Sequence, residues 1–240
     1  MSEKGHAKNV ENFEKLVGFV SSWGSKYKPS NSAIELNALQ AKLVEAKTSL
    51  ESVITSRTPY TEAVTLREES FAKVSSLIRR SMSILKSSGV SEGIFADAQS
   101  ISRKALGKRA TPKPAKTNNT NSTEVEKTHS ASQMSYTNRH QSLVALVDLL
   151  ESTSQYKPNE AELQSDSIRD FSDTLETQNT TVITNFVPLS NARAARNNVL
   201  YEAETGLFRL AKLVKDYTKG AFGVNSPEYN QIKSLSFKDY

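Results

Sequence analysis

The stretch that decides the fold begins at Tyr27-Lys28-Pro29 and runs YKPSNSAIELNALQAKLVEAKTSLESVITSRTP (27–59). It returns as YKPNEAELQSDSIRDFSDTLETQNTTVITNFVP (156–188), an offset of 129 residues without a gap. That offset matches Tyr27-Lys28-Pro29 to Tyr156-Lys157-Pro158, Val53-Ile54-Thr55 to Val182-Ile183-Thr184, Thr48 to Thr177 and Pro59 to Pro188. Further on it matches Ala63 to Ala192, Arg67 to Arg196, Arg80 to Arg209 and Lys86 to Lys215. Small changes of offset extend the likeness. Leu16-Val17-Gly18-Phe19-Val20 resembles Leu143-Val144-Ala145-Leu146-Val147 at 127, and the run from Gly89 to Lys104 resembles Gly223 to Lys238 at 134. The pattern implies a tandem duplication with copies at 12–106 and 138–240. Two copies are too few for a solenoid, which needs at least three stacked repeats.

Within the stretch, Leu36, Leu39, Leu43, Ala46, Leu50 and Val53 step by three and four residues. Such a seam lies on one face of an α-helix. Ser30 or Asn31, just after Pro29, can cap its start. A second seam follows with Tyr60, Val64, Arg67, Phe71, Val74, Ile78 and Leu85. The other copy carries Ile168, Phe171, Leu175 and Val182, then a helix from Leu189 through Val199, Leu210 and Val214 to Tyr217. Proline suits the first turn of a helix and disfavours α geometry just before it. Pro59 and Pro188 therefore predict a tight hairpin, with one long kinked helix as the alternative. The expected fold is all-α: a duplicated four-helix module with two long antiparallel helices and two shorter flanking helices per copy. The copies are expected to form separate units, a joint bundle being the alternative.

Residues 1–11 read as an N-terminal arm. Residues 107–137, rich in Asn, Ser and Thr with Pro112 and Pro114, read as a flexible basic and polar linker. The chain has 240 residues, no cysteine and a net charge of +5. Disulfides and thiolate metal sites are thereby excluded. Arg103, Lys104, Lys108, Arg109, Lys113 and Lys116 occur without an intervening acid, so six positive charges in one segment exceed the net charge of the whole chain. The basicity is local. No segment reaches the roughly 20 apolar residues needed to span a bilayer, and no signal peptide is read. The expected location is cytoplasmic, with no membrane insertion.

The histidines, His6, His129 and His140, share no helix face. Glu126-Lys127-Thr128-His129 has the form used by di-iron bundles, but those sites need two such motifs. No phosphate-binding glycine loop or nucleophile elbow occurs. No catalytic, metal or cofactor-binding residue is assigned, and no enzyme activity is expected. Arg67 and Arg196 interrupt the apolar seam at equivalent positions. They read either as an internal anion site or as structural arginines with packed stems and paired heads. The six bases from Arg103 to Lys116 are the candidate polyanion contact, since cations near phosphates release condensed counterions.

Residues 191–201 (NARAARNNVLY) and 221–229 (AFGVNSPEY) resemble a group of uncharacterised, internally duplicated all-helical proteins of Bacteroidota. The likeness covers both copies and not the linker. It implies a bacterial helical protein and supplies no site. The resulting expectation is a helical-bundle interaction or scaffold protein with protein partners. Homo-oligomerisation and non-specific nucleic-acid contact are compatible with it. The alternative is a nucleic-acid- or ribosome-associated protein gripping phosphates through 103–116.

Overall fold

The computed structural model describes residues 3–108 and 135–240, with side chains from residue 5 onward. Among the described residues there are seven α-helices and no strand: α1 (Glu3–Trp23), α2 (Leu36–Ser87), α3 (Glu92–Ala105), α4 (Tyr136–Ser152), α5 (Ser165–Tyr201), α6 (Leu207–Phe222) and α7 (Pro227–Ile232). The protein is all-α. None of these helices is long and apolar enough to cross a membrane.

The hairpins expected at the two prolines do not form. α2 runs for 52 residues with Pro59 inside it, and α5 runs for 37 with Pro188 inside it. An interior proline removes one helical hydrogen bond and crowds the preceding turn. The apolar seam explains why the helix nevertheless continues. On α5, Ile168, Leu175, Val182 and Leu189 recur every seven residues and are all buried. Leu39, Ala46 and Val53 do the same before Pro59, and Val74, Ile78 and Leu85 are buried after it. A reversal at either proline would break this register, whereas Pro59 and Pro188 themselves are exposed and displace nothing from the core.

The compact units differ from the sequential segments 12–106 and 138–240. One unit joins Met1–Thr61 to Asn185–Tyr240, and the other is Glu62–Thr184. The first thus takes α1, the leading part of α2, the trailing part of α5, and α6 and α7. Its core gathers Phe13, Leu16 and Val20 of α1, Leu39 and Ala46 of α2, Leu200 of α5, and Leu207, Leu210 and Val214 of α6. The second takes the trailing part of α2, α3, α4 and the leading part of α5. Its core gathers Phe71, Val74, Ile78 and Leu85 with Leu143, Leu146 and Leu150, and with Ile168 and Leu175. Inside the second unit the α2 and α5 segments are antiparallel. Gln178 Nε2 donates to Ser70 Oγ at 2.9 Å, while Arg80 reaches Glu162, just before α5, at 2.6 Å.

Three further expectations change. The segment read as an arm is helical from Glu3, and its His6 and Asn9 are buried. The helix expected from Leu189 to Tyr217 stops at Tyr201 and restarts at Leu207. There the Glu202 carboxylate accepts from the backbone N–H of Glu204 and Thr205 and from the Thr205 hydroxyl, at 2.9, 2.6 and 2.8 Å. A Cβ on Gly206 would lie 2.4 Å from the Glu202 carbonyl oxygen, so this turn depends on glycine. Finally, the Gly89–Lys104 and Gly223–Lys238 runs adopt different structures. The first becomes the 14-residue α3, whereas the second forms six-residue α7 and then extends from Leu235 onward. Residues 109–134 of the expected linker lie outside the described residues.

Candidate functional site

Arg67 and Arg196 both fall on the seven-residue seam of their helices, but their surroundings differ. Arg67 is half-buried, with its guanidinium carbon 4.0 Å from the centre of the Tyr136 ring. Tyr136 meets Phe71 edge-on at 4.7 Å, and Arg139 lies over Phe71 at 5.2 Å while donating to its carbonyl at 3.2 Å. Arg67 Nε is enclosed without a hydrogen bond. The ring face, with its negative quadrupole, meets the cation. Arg196 is 4% exposed, and its Nε and one terminal nitrogen donate to Asn197 Oδ1 at 3.1 and 2.8 Å. The two arginines lie in different units.

Of the six basic residues, Arg103 and Lys104 occupy the last turn of α3, where cations complement the helix dipole. Lys104 and Lys108 are exposed and Arg103 is half-buried. Arg109, Lys113 and Lys116 lie outside the described residues. Among the described residues no group of three His, Asp or Glu is placed to hold a metal ion.

The Tyr-Lys-Pro segments are structural. Tyr27 Oη donates to the Ile34 carbonyl at 2.8 Å, and Tyr156 Oη donates to the Leu163 carbonyl at 2.7 Å. Each bond ties a loop to the short 3-10 turn before its long helix, Ser32–Ile34 or Ala161–Leu163. The Tyr27 ring stands edge-on to Tyr217 at 5.1 Å, and Tyr217 Oη accepts from the Lys28 N–H at 3.2 Å. Trp23 packs near Tyr27 and Phe222, with its indole N–H donating to Gln231 at 2.9 Å. Burial pushes the Tyr27 and Tyr156 phenols upward.

A feature that sequence reasoning missed lies on α1. Asn9 and Asn12 are 2% and 5% exposed, and both bind the backbone of the extended segment after α7. Asn9 Nδ2 donates to the Lys238 carbonyl at 2.6 Å, and the Lys238 N–H donates back to Asn9 Oδ1 at 3.1 Å. Asn12 Nδ2 donates to the Ser236 carbonyl at 2.7 Å. Lys215 Nζ of α6 donates to the Lys233 and Leu235 carbonyls. Burial depresses the Lys215 ammonium pKa. Leu235 and Phe237 pack against the unit's core. His6, 2% exposed, has Nδ1 at 2.8 Å from Tyr201 Oη, which also accepts from Asn9 at 3.1 Å. The signal was present in sequence: Asn9, Asn12 and Leu16 step by three and four along the apolar face of α1. No family model matches the chain, and no curated protein or solved structure is detectably similar to it.

Proposed function

We propose that this chain is a non-enzymatic helical scaffold of bacterial cytoplasm that engages protein partners through the middle of α5. One observation carries the reading. From Thr177 to Ala192 the helix holds no charged residue, yet Ile183, Phe186 and Val187 are 65%, 47% and 51% exposed. Ile183 and Val187 are four apart and share a face, with Phe186 beside them. Water-facing helix surfaces are normally charged, and contiguous exposed apolar side chains mark interaction surfaces. A photo-crosslinking amino acid at position 187, compared with one at exposed position 204, tests this in cells. Discrete adducts from 187 alone are expected. Identical adducts from both positions, or none from 187, would remove the reading.

The scaffold itself is read as a tandem duplication, as in the helical proteins of Bacteroidota that it resembles. Supporting this are the two tyrosine hydroxyls, each bonded to a carbonyl seven residues on. So are the two prolines, each inside a long helix at the common offset. On this reading each compact unit combines the leading part of one copy with the trailing part of the other.

A second reading rests on the acid-free basic run from Arg103 to Lys116. It takes the run as a phosphate contact for nucleic acid. Binding that falls steeply with salt and disappears when all six bases are neutralised supports it. Unchanged binding in that variant excludes it.

A further inference from the structure

We propose that the groove between α1 and α6 is a docking site for an extended peptide supplied in trans, and that segment 235–239 is its internal placeholder. The partner carries a large aliphatic and an aromatic side chain at alternate positions, as Leu235 and Phe237 do. The groove binds the backbone through side chains. A carboxamide resembles a peptide group in offering one donor face and one acceptor face, so Asn9 pairs with both the N–H and the carbonyl of Lys238. Asn12 takes the Ser236 carbonyl, and Lys215 takes that of Leu235. In an extended segment successive side chains point to opposite sides. Backbone bonds then provide affinity, and pockets for alternate side chains provide selectivity. Leu235 and Phe237 are the two that pack on the core, with Lys215 Nζ 5.6 Å from the Phe237 ring centre.

Two observations separate this groove from ordinary core. The groups that bind the segment's backbone are side chains, so Asn9, Asn12 and Lys215 can be hydrated when it leaves, and none of the three would be stranded. In addition, the positions of α4 that match Asn9 and Asn12 at the 127 offset are Tyr136 and Arg139. In that unit α3, which satisfies its own backbone, packs against α4. The asparagine pair accompanies the extended segment and is absent where a helix takes its place. This inference concerns α1 and α6 and stands whether or not the surface of α5 binds a partner.

The test uses the full chain carrying Leu235→Asp and Phe237→Asp, which expels the placeholder, with a fluorescent peptide of residues 233–240 as probe. Fluorescence anisotropy should show saturable binding to the expelled variant and at least tenfold weaker binding to the unmodified chain, whose tethered segment competes. Adding Asn9→Ala or Asn12→Ala to the expelled variant should weaken binding at least tenfold, and a scrambled peptide should not bind. No binding by an expelled variant that keeps its helical circular dichroism overturns the proposal, as does binding indifferent to both asparagines. Hydrogen exchange on the unmodified chain gives a second measurement in case the variant does not fold. The Lys238 amide should exchange at least tenfold faster than core amides of α1. Equal protection would make the segment a fixed part of the fold and overturn the proposal. A dimer of the unmodified chain that the peptide dissociates would identify the occupant as a second copy and overturn the assignment to another partner.

Discussion

The Tyr27 hydroxyl donates to the Ile34 carbonyl at 2.8 Å across a seven-residue loop, and both residues are buried. Replacing Tyr27 with Phe keeps the ring contacts with Trp23 and Tyr217 but leaves a buried carbonyl without its donor. Such a loss costs about 1–3 kcal/mol. Tyr156→Phe should have a similar effect, because its bond to Leu163 has the same spacing and length to within 0.1 Å. Urea unfolding of the two single variants checks this. A large effect from one and none from the other would break the equivalence of the two loops.

The same phenols set an alkaline limit. Burial raises Tyr27 most strongly, and Tyr156 and Tyr201 are also raised, burial being the main cause in each. A phenol raised in the folded state stays protonated there while the unfolded chain begins to ionise near pH 10. Above that point the unfolded state binds fewer protons, so stability falls with rising pH. The contribution is complete below pH 10 and declines as pH climbs toward the folded-state values. Tyr27→Phe should flatten this decline, as measured by unfolding free energy from pH 8 to 11. A Tyr27→Phe variant with an unchanged slope would assign the alkaline loss to other groups.

The helical class, the loop tyrosines and the seam positions of Arg67 and Arg196 were legible because each follows from local spacing. Three features were not. Pro59 and Pro188 carry a strong local stop signal, and only burial of the seam on both sides of them reveals which preference prevails. The break at 202–206 depends on Gly206 approaching the Glu202 backbone, a contact that only the folded turn creates. Segment 235–240 aligned with a helical counterpart, yet its backbone is bound by side chains from α1 and α6, more than 200 residues away in the case of α1. A match between two runs of sequence records common pattern, and the pattern here underlies two different conformations.

Gly206→Ala tests the turn directly. The φ of Gly206 is −68°, which any residue can adopt, so backbone conformation is not the obstacle. The obstacle is space: the added Cβ would meet the Glu202 carbonyl oxygen at 2.4 Å and its nitrogen at 2.6 Å. These are backbone atoms and cannot swing aside. Overpacking of this kind costs about 1–3 kcal/mol. The expected result is a lower melting temperature with helix content little changed. A Gly206→Ala variant as stable as the parent would mean that the turn relaxes freely.

The Arg67–Tyr136 contact predicts a difference between two substitutions. Tyr136→Phe keeps the ring face under the guanidinium and should change stability by less than about 0.5 kcal/mol. Arg67→Ala removes both the cation over the ring and the packed stem, and should cost about 1–2 kcal/mol. If Arg67 instead served an anion, phosphate would raise the melting temperature of the parent and not of Arg67→Ala. Thermal unfolding with phosphate and with chloride at matched ionic strength distinguishes the two roles, and no phosphate-specific shift is expected.

Pro59→Ala reads out helix continuity through the sign of its effect. In a hairpin, proline would restrict the turn and its removal would destabilise the chain. Inside a continuous helix proline is less favourable than alanine by up to about 3 kcal/mol. Pro59 is exposed, so its removal opens no cavity, and its carbonyl, which accepts from Asn185 Nδ2 at 3.2 Å, is retained in the variant. Pro59→Ala should therefore raise stability and slightly increase helical circular dichroism. A loss of stability would mean that the proline is used for its shape, and the uninterrupted course of α2 would have to be abandoned.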